Sequence, residues 1–423
     1  VVLPGSICIE ITLVSKLELV QNINYEEGHL MRRSILAAIL GLLLVFSLTS
    51  YALAKDVILT VWESTGGPDE FIEQAGEAFT KLYPNIKINY VNVELGDSTT
   101  QIAWDGPAGV GPDLFAAPHD KLGELVVGGH VMPTAGPEEV GAMVLDSCRN
   151  ALTYDGVMYG YPVSAETYAL FYNKDLISED QVPKTWEGLK EFCKKFNAEN
   201  PGKYGFLMDV GNGYYTIIFT TSQGNRLFGP TGTDTTNTNI NSPASVEGMK
   251  FFQSLREILD VPAADLTTSI CDSVFQSGGA AMYITGLWNV ANFENAGLKF
   301  GVAPLPSLPG NDTPPASFSG TRAMFVSAYS EHIEEAELFA RFLISEEMQK
   351  LRFDITGTLP AIPLEVESPY VDGFLKQLGY AFPMPSIPQM SAYWSAMNAA
   401  SANIWDGADV QAELDAANAA ILQ

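Results

Sequence analysis

The sequence predicts an α/β fold organised as roughly two domains. Three observations lead there. Apolar runs of strand length alternate with amphipathic helical stretches along the chain, the pattern of strands flanked by helices. The chain has 423 residues, more than one hydrophobic core ordinarily serves. It is 47% hydrophobic and 17% charged, a globular composition and too apolar for a disordered chain.

Taken in order, Val57-Ile58-Leu59-Thr60-Val61-Trp62 reads as a buried first strand. Gly66-Gly67-Pro68-Asp69 is a turn. Glu70 to Tyr83 then sets Phe71, Ile72, Ala75, Phe79 and Leu82 on one helical face, and Pro84-Asn85 stops that helix. Ile86 to Val93 alternates as a strand does, and Pro112 to Ala117 is another. Tyr161-Pro162-Val163 and Ala169-Leu170-Phe171-Tyr172 are two short extended pieces whose proximity suggests a crossing between domains. Asn225 to Ser242, rich in Thr, Gly and Asn, is expected to be a surface loop. Pro304 to Pro315 is a second loop and an inter-domain connection. Glu331 to Arg352 reads as one strong helix that ends before Asp354-Ile355-Thr356-Gly357. Ala392 to Ile404 and Asp409 to Leu422 read as terminal helices, punctuated by Gly407.

Upstream lies a targeting pattern. Met31-Arg32-Arg33, an apolar run from Ile35 to Phe46 and Ala52-Leu53-Ala54 form a secretory signal peptide over 31–54, cleaved after Ala54. An apolar run of about a dozen residues is short of the roughly 20 that a spanning anchor needs. Residues 1–30 have no role in this pattern. Glu26-Glu27-Gly28 would be encoded by a purine-rich stretch resembling a ribosome-binding site, so 1–30 are expected to be an upstream leader from a mis-called start, with Met31 the initiator. The expected product is a soluble, periplasmic chain without membrane insertion. It carries Cys148, Cys193 and Cys271. Their spacing fits no CxxC motif or metal knuckle, and an odd number leaves at least one thiol free. At most one disulfide is possible, and free or buried thiols are expected.

Charge and motifs narrow the chemistry. With 23 Lys+Arg against 50 Asp+Glu and a formal net charge of −27, the chain lacks the dense cationic patches that nucleic acid or anionic lipid requires. There is no GxSxG elbow, HExxH, Walker loop or GxGxxG after a strand. His119, His130 and His332 have no partner at metal-ligand spacing, so neither metal nor cofactor is expected. His119-Asp120 reads as a structural pair rather than a general base. Glu138-Glu139, Glu334-Glu335 and Glu346-Glu347 could suggest a glycosidase pair. Helix neighbours point in different directions, however, so these read as solvated faces. An enzyme is not expected. What stands out instead is aromatics in turn and loop contexts: Tyr214-Tyr215, Trp288 and Tyr393-Trp394. Sugars show apolar C–H faces and hydroxyl rims, so their sites combine flat rings with Asp, Glu, Asn, Gln, Arg or Lys.

Several segments resemble the maltose/maltodextrin-binding proteins of sugar ABC importers, within the wider class of extracellular solute-binding proteins. The most specific is Met384-Pro385-Ser386-Ile387-Pro388-Gln389-Met390-Ser391-Ala392-Tyr393-Trp394. Gly111-Pro112-Asp113-Leu114-Phe115 through His119-Asp120-Lys121, Tyr161 to Glu166, Tyr172 to Leu176, Pro183 to Glu187 and Ala281 to Trp288 follow in family order. Together they span essentially all of 55–423.

The resemblance implies a two-lobed periplasmic-binding-protein-like α/β fold, with several crossings between the lobes and the ligand in the cleft. One lobe would hold 55–164 plus 321–365, and the other 165–320 plus 366–423. It implies an oligosaccharide ligand, the membrane permease subunits of an ABC transporter as partner, and a monomer. The matching contact positions are Asp120, Lys121, Glu166, Tyr214, Tyr215, Trp288, Met384 and Trp394. Asp120, Lys121 and Glu166 would bind hydroxyls; Tyr214, Trp288 and Trp394 would stack on pyranose faces, with Tyr215 and Met384 behind. Lys121 replaces the Arg of the family's best-known member, keeping the charge and losing the planar fork. Gly66-Gly67 replaces an Asp-Lys pair, Ala117 an aromatic, Asn212 an acid, and Thr268 falls near a tyrosine position. A wider, less polar cleft accepting more than one α-linked glucose oligosaccharide is therefore expected, with Glu63, Ser64 or Asp97 as substitutes for the missing contacts and Glu63 included among the ligand-binding residues. Maltose, trehalose, a longer glucan and other oligosaccharides all stay open. So do two other roles: a carbohydrate-cleaving enzyme, and a chemosensing adaptor.

Overall fold

Val57–Glu63 (β1) extends as its apolar run predicts, with Leu59, Val61 and Trp62 buried. It belongs to a computed structural model that describes residues 56–423; the leader 1–30 and the signal peptide 31–54 lie outside the described residues. The helix Pro68–Leu82 follows. Proline in its first turn loses no needed N–H, and Asp69 and Glu70 face the positive end of the helix dipole. The helix returns the chain to Ile86–Asn92 (β2), parallel to β1 with Val57 opposite Ile86. Leu114–Pro118 (β3) adds in parallel on the other side of β1.

The strand Tyr161–Asn173 (β6) comes after a small hairpin of Thr153–Tyr154 (β4) and Val157–Met158 (β5). Met282–Gly286 (β7), Phe300–Ala303 (β8), Phe318–Val326 (β9) and Phe382–Pro383 (β10) complete the strands among the described residues. The main sheet runs β2-β1-β3-β9-β6-β7, with β8 on β6 and β10 on β9. The first half of β6 pairs antiparallel with β9, and its second half pairs antiparallel with β7 and β8. One strand thus serves both halves of the molecule. Leu359 bridges to Ala165, and Phe382 pairs with Phe318, so several chain segments cross together at this point.

The core is divided accordingly. The larger part surrounds the second half of β6 with Trp186, Phe219, Phe275 and the terminal helices Gln389–Trp405 and Val410–Ile421. A second part packs Phe71, Phe79 and Phe339 on one face of β1, β3 and β9; a third, with Trp62, Phe115 and Phe325, covers the opposite face. Two mixed α/β lobes joined by crossing strands result.

Three local expectations need correction. The pieces Tyr161–Val163 and Ala169–Tyr172 are one strand of 13 residues. Pro162 lacks a ladder N–H, and the register with β9 shifts between Pro162 and Ser164 instead of the strand ending. Glu331 to Arg352 is two helices, Ile333–Leu343 and Glu346–Thr356, because Ser345 takes an extended backbone and starts the second. Leu82, assigned to a buried helical face, is 64% exposed. The Asn225–Ser242 segment forms neither helix nor strand, yet Leu227, Phe228 and Ile240 anchor it in the core. Cys148, Cys193 and Cys271 are free and buried. Among the described residues no helix is long and apolar enough to cross a membrane.

Candidate functional site

The crossing strands form the floor of a cleft of about 710 Å³, within the usual range for ligand pockets. Glu166 sits where β6 passes between the lobes, opposite Gly320 of β9, and its Oε1 accepts a hydrogen bond from Ser164 Oγ at 2.9 Å. Met384, 7% exposed, follows β10 and also lines the floor.

Next to the crossing, the short turn His119–Lys121 carries Asp120 and Lys121 into the cleft. His119 holds this turn in place. Its Nδ1 accepts the Thr321 N–H at 3.0 Å, which leaves Nε2 to donate to the Met384 carbonyl at 3.0 Å. Burial pulls the imidazole pKa below its ordinary value, against the opposing field of Asp120. His119 is therefore a neutral strut between two crossing strands.

A second wall is aromatic. Asn212 caps the helix Gly213–Thr220 by accepting the Tyr214 N–H at 2.9 Å, and Tyr393 Oη donates to the Gly213 carbonyl at 3.0 Å. These bonds place Tyr214 on the cleft, with Tyr215 buried behind it. The Tyr214 ring lies 6.0 Å from Trp288 and 6.4 Å from Trp394, centroid to centroid. Trp288 folds back over Gly286: a Cβ there would fall 2.1 Å from the indole. Only glycine permits that approach. The wall and the turn already touch, since Trp394 Nε1 donates to Asp120 Oδ2 at 2.9 Å and Lys121 Nζ to Ser391 Oγ at 3.2 Å.

Beneath the first strand–helix turn lies an ionic cluster. Glu63 is 0% exposed and accepts from the Arg322 Nε at 3.2 Å and from its Nη2. Arg322 Nη2 also donates to Ser64 Oγ. Burial works against the Arg322 cation, and the charges of Glu63, Glu166 and Glu94 together with the Glu63 hydrogen bonds outweigh it, leaving its pKa raised. Arg352 lies 3.8 Å from Glu63, too far for a hydrogen bond. Burial and the Arg322 charge pull its pKa down to about 10.

Eight of the sequence-selected positions, Asp120, Lys121, Glu166, Tyr214, Tyr215, Trp288, Met384 and Trp394, thus line one cleft. Glu63 does not. As the last residue of β1 it is covered, and its carboxylate is taken up by Arg322, so it acts on the cleft only by holding that arginine. Ser64 does line the cleft; Asp97 is exposed outside it. Gly66 and Gly67 hold φ of +87° and +119°, which side chains rarely adopt, so the turn itself opposes an Asp-Lys pair there. Ala117 is wholly buried in the core. Arg322 and Arg352, missed from sequence, bring to the floor a charge that the expectation of a less polar cleft left out.

Residues 62–350 match the family of bacterial extracellular solute-binding proteins. A galactooligosaccharide-binding protein of Bacillus subtilis is 31% identical, over 86% of this chain and 88% of its own length. The chain belongs to this family. Solved structures agree on the architecture of such a solute-binding protein. A Thermus thermophilus maltotriose-binding protein bound with maltotriose superposes with a TM-score of 0.79 at 27% identity, over 86% of this chain and 99% of that one. A cyclo/maltodextrin-binding protein complexed with maltotetraose gives a TM-score of 0.74 at 34% identity, over 87% and 96%. The two guanidiniums of this solute-binding protein left little trace in sequence, because Arg322 meets Glu63 across 259 positions.

Proposed function

We propose that this solute-binding protein captures maltose/maltodextrin-type oligosaccharides and delivers them to the membrane permease subunits of an ABC transporter. The observation that carries this reading is the convergence on one cleft of an aromatic wall, Tyr214, Trp288 and Trp394, and the hydrogen-bonding groups Asp120, Lys121 and Glu166. Rings cover pyranose C–H faces while charged groups take hydroxyls. The maltotriose- and maltotetraose-bound relatives support the ligand class. So does a Streptococcus pneumoniae relative named as a maltooligosaccharide ABC transporter solute-binding lipoprotein, which also supports the partner.

The same reading takes the protein as an exported periplasmic monomer, cleaved after Ala54, with no catalytic activity of its own. Its lobes are 55–164 plus 321–365 and 165–320 plus 366–423. The separate cores favour that division, with Cys148, Leu359 and Ala361 packing into the larger core at the junction. A second reading, a galactose-containing oligosaccharide, is favoured by the name of the Bacillus subtilis relative.

Titration calorimetry and thermal shift on the mature protein with maltose, maltotriose, trehalose, cellobiose and a galactooligosaccharide decide between them. Ligand that binds only the native state raises Tm by mass action. Maltotriose binding with no release of new reducing ends is the expected result. Binding of the galactooligosaccharide alone would replace the first reading by the second.

A further inference from the structure

Arg352 stands apart from the other charged groups of the cleft. Its side chain is 1% exposed, yet it lines the floor near the Ser64–Pro68 turn and the Thr356–Thr358 segment. Among the described residues, its Nε, Nη1 and Nη2 have no hydrogen-bond acceptor. The nearest carboxylate, Glu63, is already engaged through both oxygens by Arg322. The Phe71 ring lies 5.0 Å from the guanidinium carbon. That contact supports the cation but gives its in-plane N–H groups nothing to bond. A buried charge without acceptors is strongly unfavourable. Five donors fixed in a plane, lining a ligand cleft, therefore call for oxygen atoms that the protein does not itself supply.

The surrounding charges say which oxygens. In and just beneath the cleft Glu63, Asp120 and Glu166 offset Lys121, Arg322 and Arg352, and Glu124 lies 3.7 Å from Lys121 as well. An anion gains no net field there. A neutral ligand with two adjacent oxygens does fit a planar fork. We propose that Arg352 is a specificity-determining ligand contact, its guanidinium fork bonding two adjacent hydroxyl oxygens of a neutral pyranose ring at the Ser64–Pro68 end of the cleft. This rests on the oligosaccharide-binding reading above and adds a residue and an end of the cleft to it. It also makes stability and affinity depend on Arg352 with opposite signs: the ligand-free protein carries an unsatisfied charge, and the complex satisfies it.

The test compares wild type with Arg352→Met, which keeps the length and removes the donors, and Arg352→Lys, which keeps the charge and removes the fork. Maltotriose is the probe for calorimetry, and Tm is measured without sugar. Arg352→Met should bind about 10- to 100-fold more weakly, the range for losing a charge-assisted hydrogen bond, with a sugar-free Tm equal to or above that of wild type. Arg352→Lys should recover only part of the affinity. Binding within twofold of wild type would overturn the proposal, as would a fall in sugar-free Tm that accompanies the loss of affinity. If Arg352→Met does not fold, Arg352→Lys and Arg352→Gln are judged by the same pair of readouts. If wild type ignores maltotriose, the functional reading above fails instead. The comparison then proceeds with whichever neutral sugar of the panel raises the wild-type Tm, and binding only of a uronate-containing oligosaccharide would overturn the neutral-pyranose assignment.

Discussion

Trp394 shows how one side chain serves both structure and recognition. Its indole N–H is donated to Asp120, and its ring extends the wall begun by Tyr214. Trp394→Ala removes a large flat surface and should weaken maltotriose binding by roughly 1–3 kcal/mol, the scale of one such side chain. Calorimetry measures the loss, and unfolding should stay cooperative because the ring is only half-buried. A variant that no longer unfolds cooperatively would make Trp394 a core residue. Asp272 gives a pH signature of a different kind. It accepts hydrogen bonds from Tyr283 Oη at 2.8 Å and Asn289 Nδ2 at 2.7 Å, yet burial pushes its carboxyl up to about 6. A folded-state pKa above the unfolded value of about 3.9 means that the native state binds the proton more tightly. The stabilisation is complete below about pH 4 and is lost as pH rises through about 6, a change on the order of 2–3 kcal/mol at 1.36 kcal/mol per unit. Between pH 4 and 8 the stability of wild type relative to Asp272→Asn, from denaturation curves, should fall by this amount in total, with a slope of at most about 1.4 kcal/mol per pH unit. An unchanged difference across that range would remove Asp272 as the source.

At the scale of elements, Gly286 at the end of β7 is the point where backbone geometry sets the aromatic wall. A methyl group there would fall within the Trp288 indole, so Gly286→Ala should swing the ring away. The expected loss of sugar affinity matches that of Trp288→Ala, with no further loss in the double variant, since both act on one contact. Additive losses would show that Gly286 matters for another reason. Elements with a strong local pattern were legible in sequence: the Phe71, Ile72, Ala75 and Phe79 face needs only a period of 3.6. Those governed by tertiary pairing were not. Ser164, Glu166 and Thr167 interrupt the apolar pattern of β6, yet the strand runs through because β9 pairs with it on one side of the junction and β7 and β8 on the other. Ser345 divides a helix whose amphipathic pattern continues across the break. The candidate site divides the same way. Motif order found Asp120, Glu166 and the three rings. No local pattern announces Arg322 or Arg352, whose meaning depends on a glutamate at the far end of the first strand.

For the whole molecule, two lobes joined by crossing strands predict exchange between open and closed forms, with sugar favouring the form in which both walls touch it. Small-angle scattering should show a smaller radius of gyration at saturating maltotriose. An unchanged radius would argue against closure. The contact between Trp394 and Asp120 also has an optical consequence. The indole N–H engages only Oδ2 of the Asp120 carboxylate, so a sugar hydroxyl that bonds to that group shares it with the indole or displaces it, and either changes the electronic environment of the ring as the site fills. The other tryptophans outside the wall are either buried, as Trp62, Trp186 and Trp405 are, or exposed, as Trp104 is. None of them borders the cleft. The emission of Trp394 and Trp288 is thus a built-in, label-free reporter of occupancy, and stopped-flow fluorescence can time the capture of a sugar in the unmodified protein.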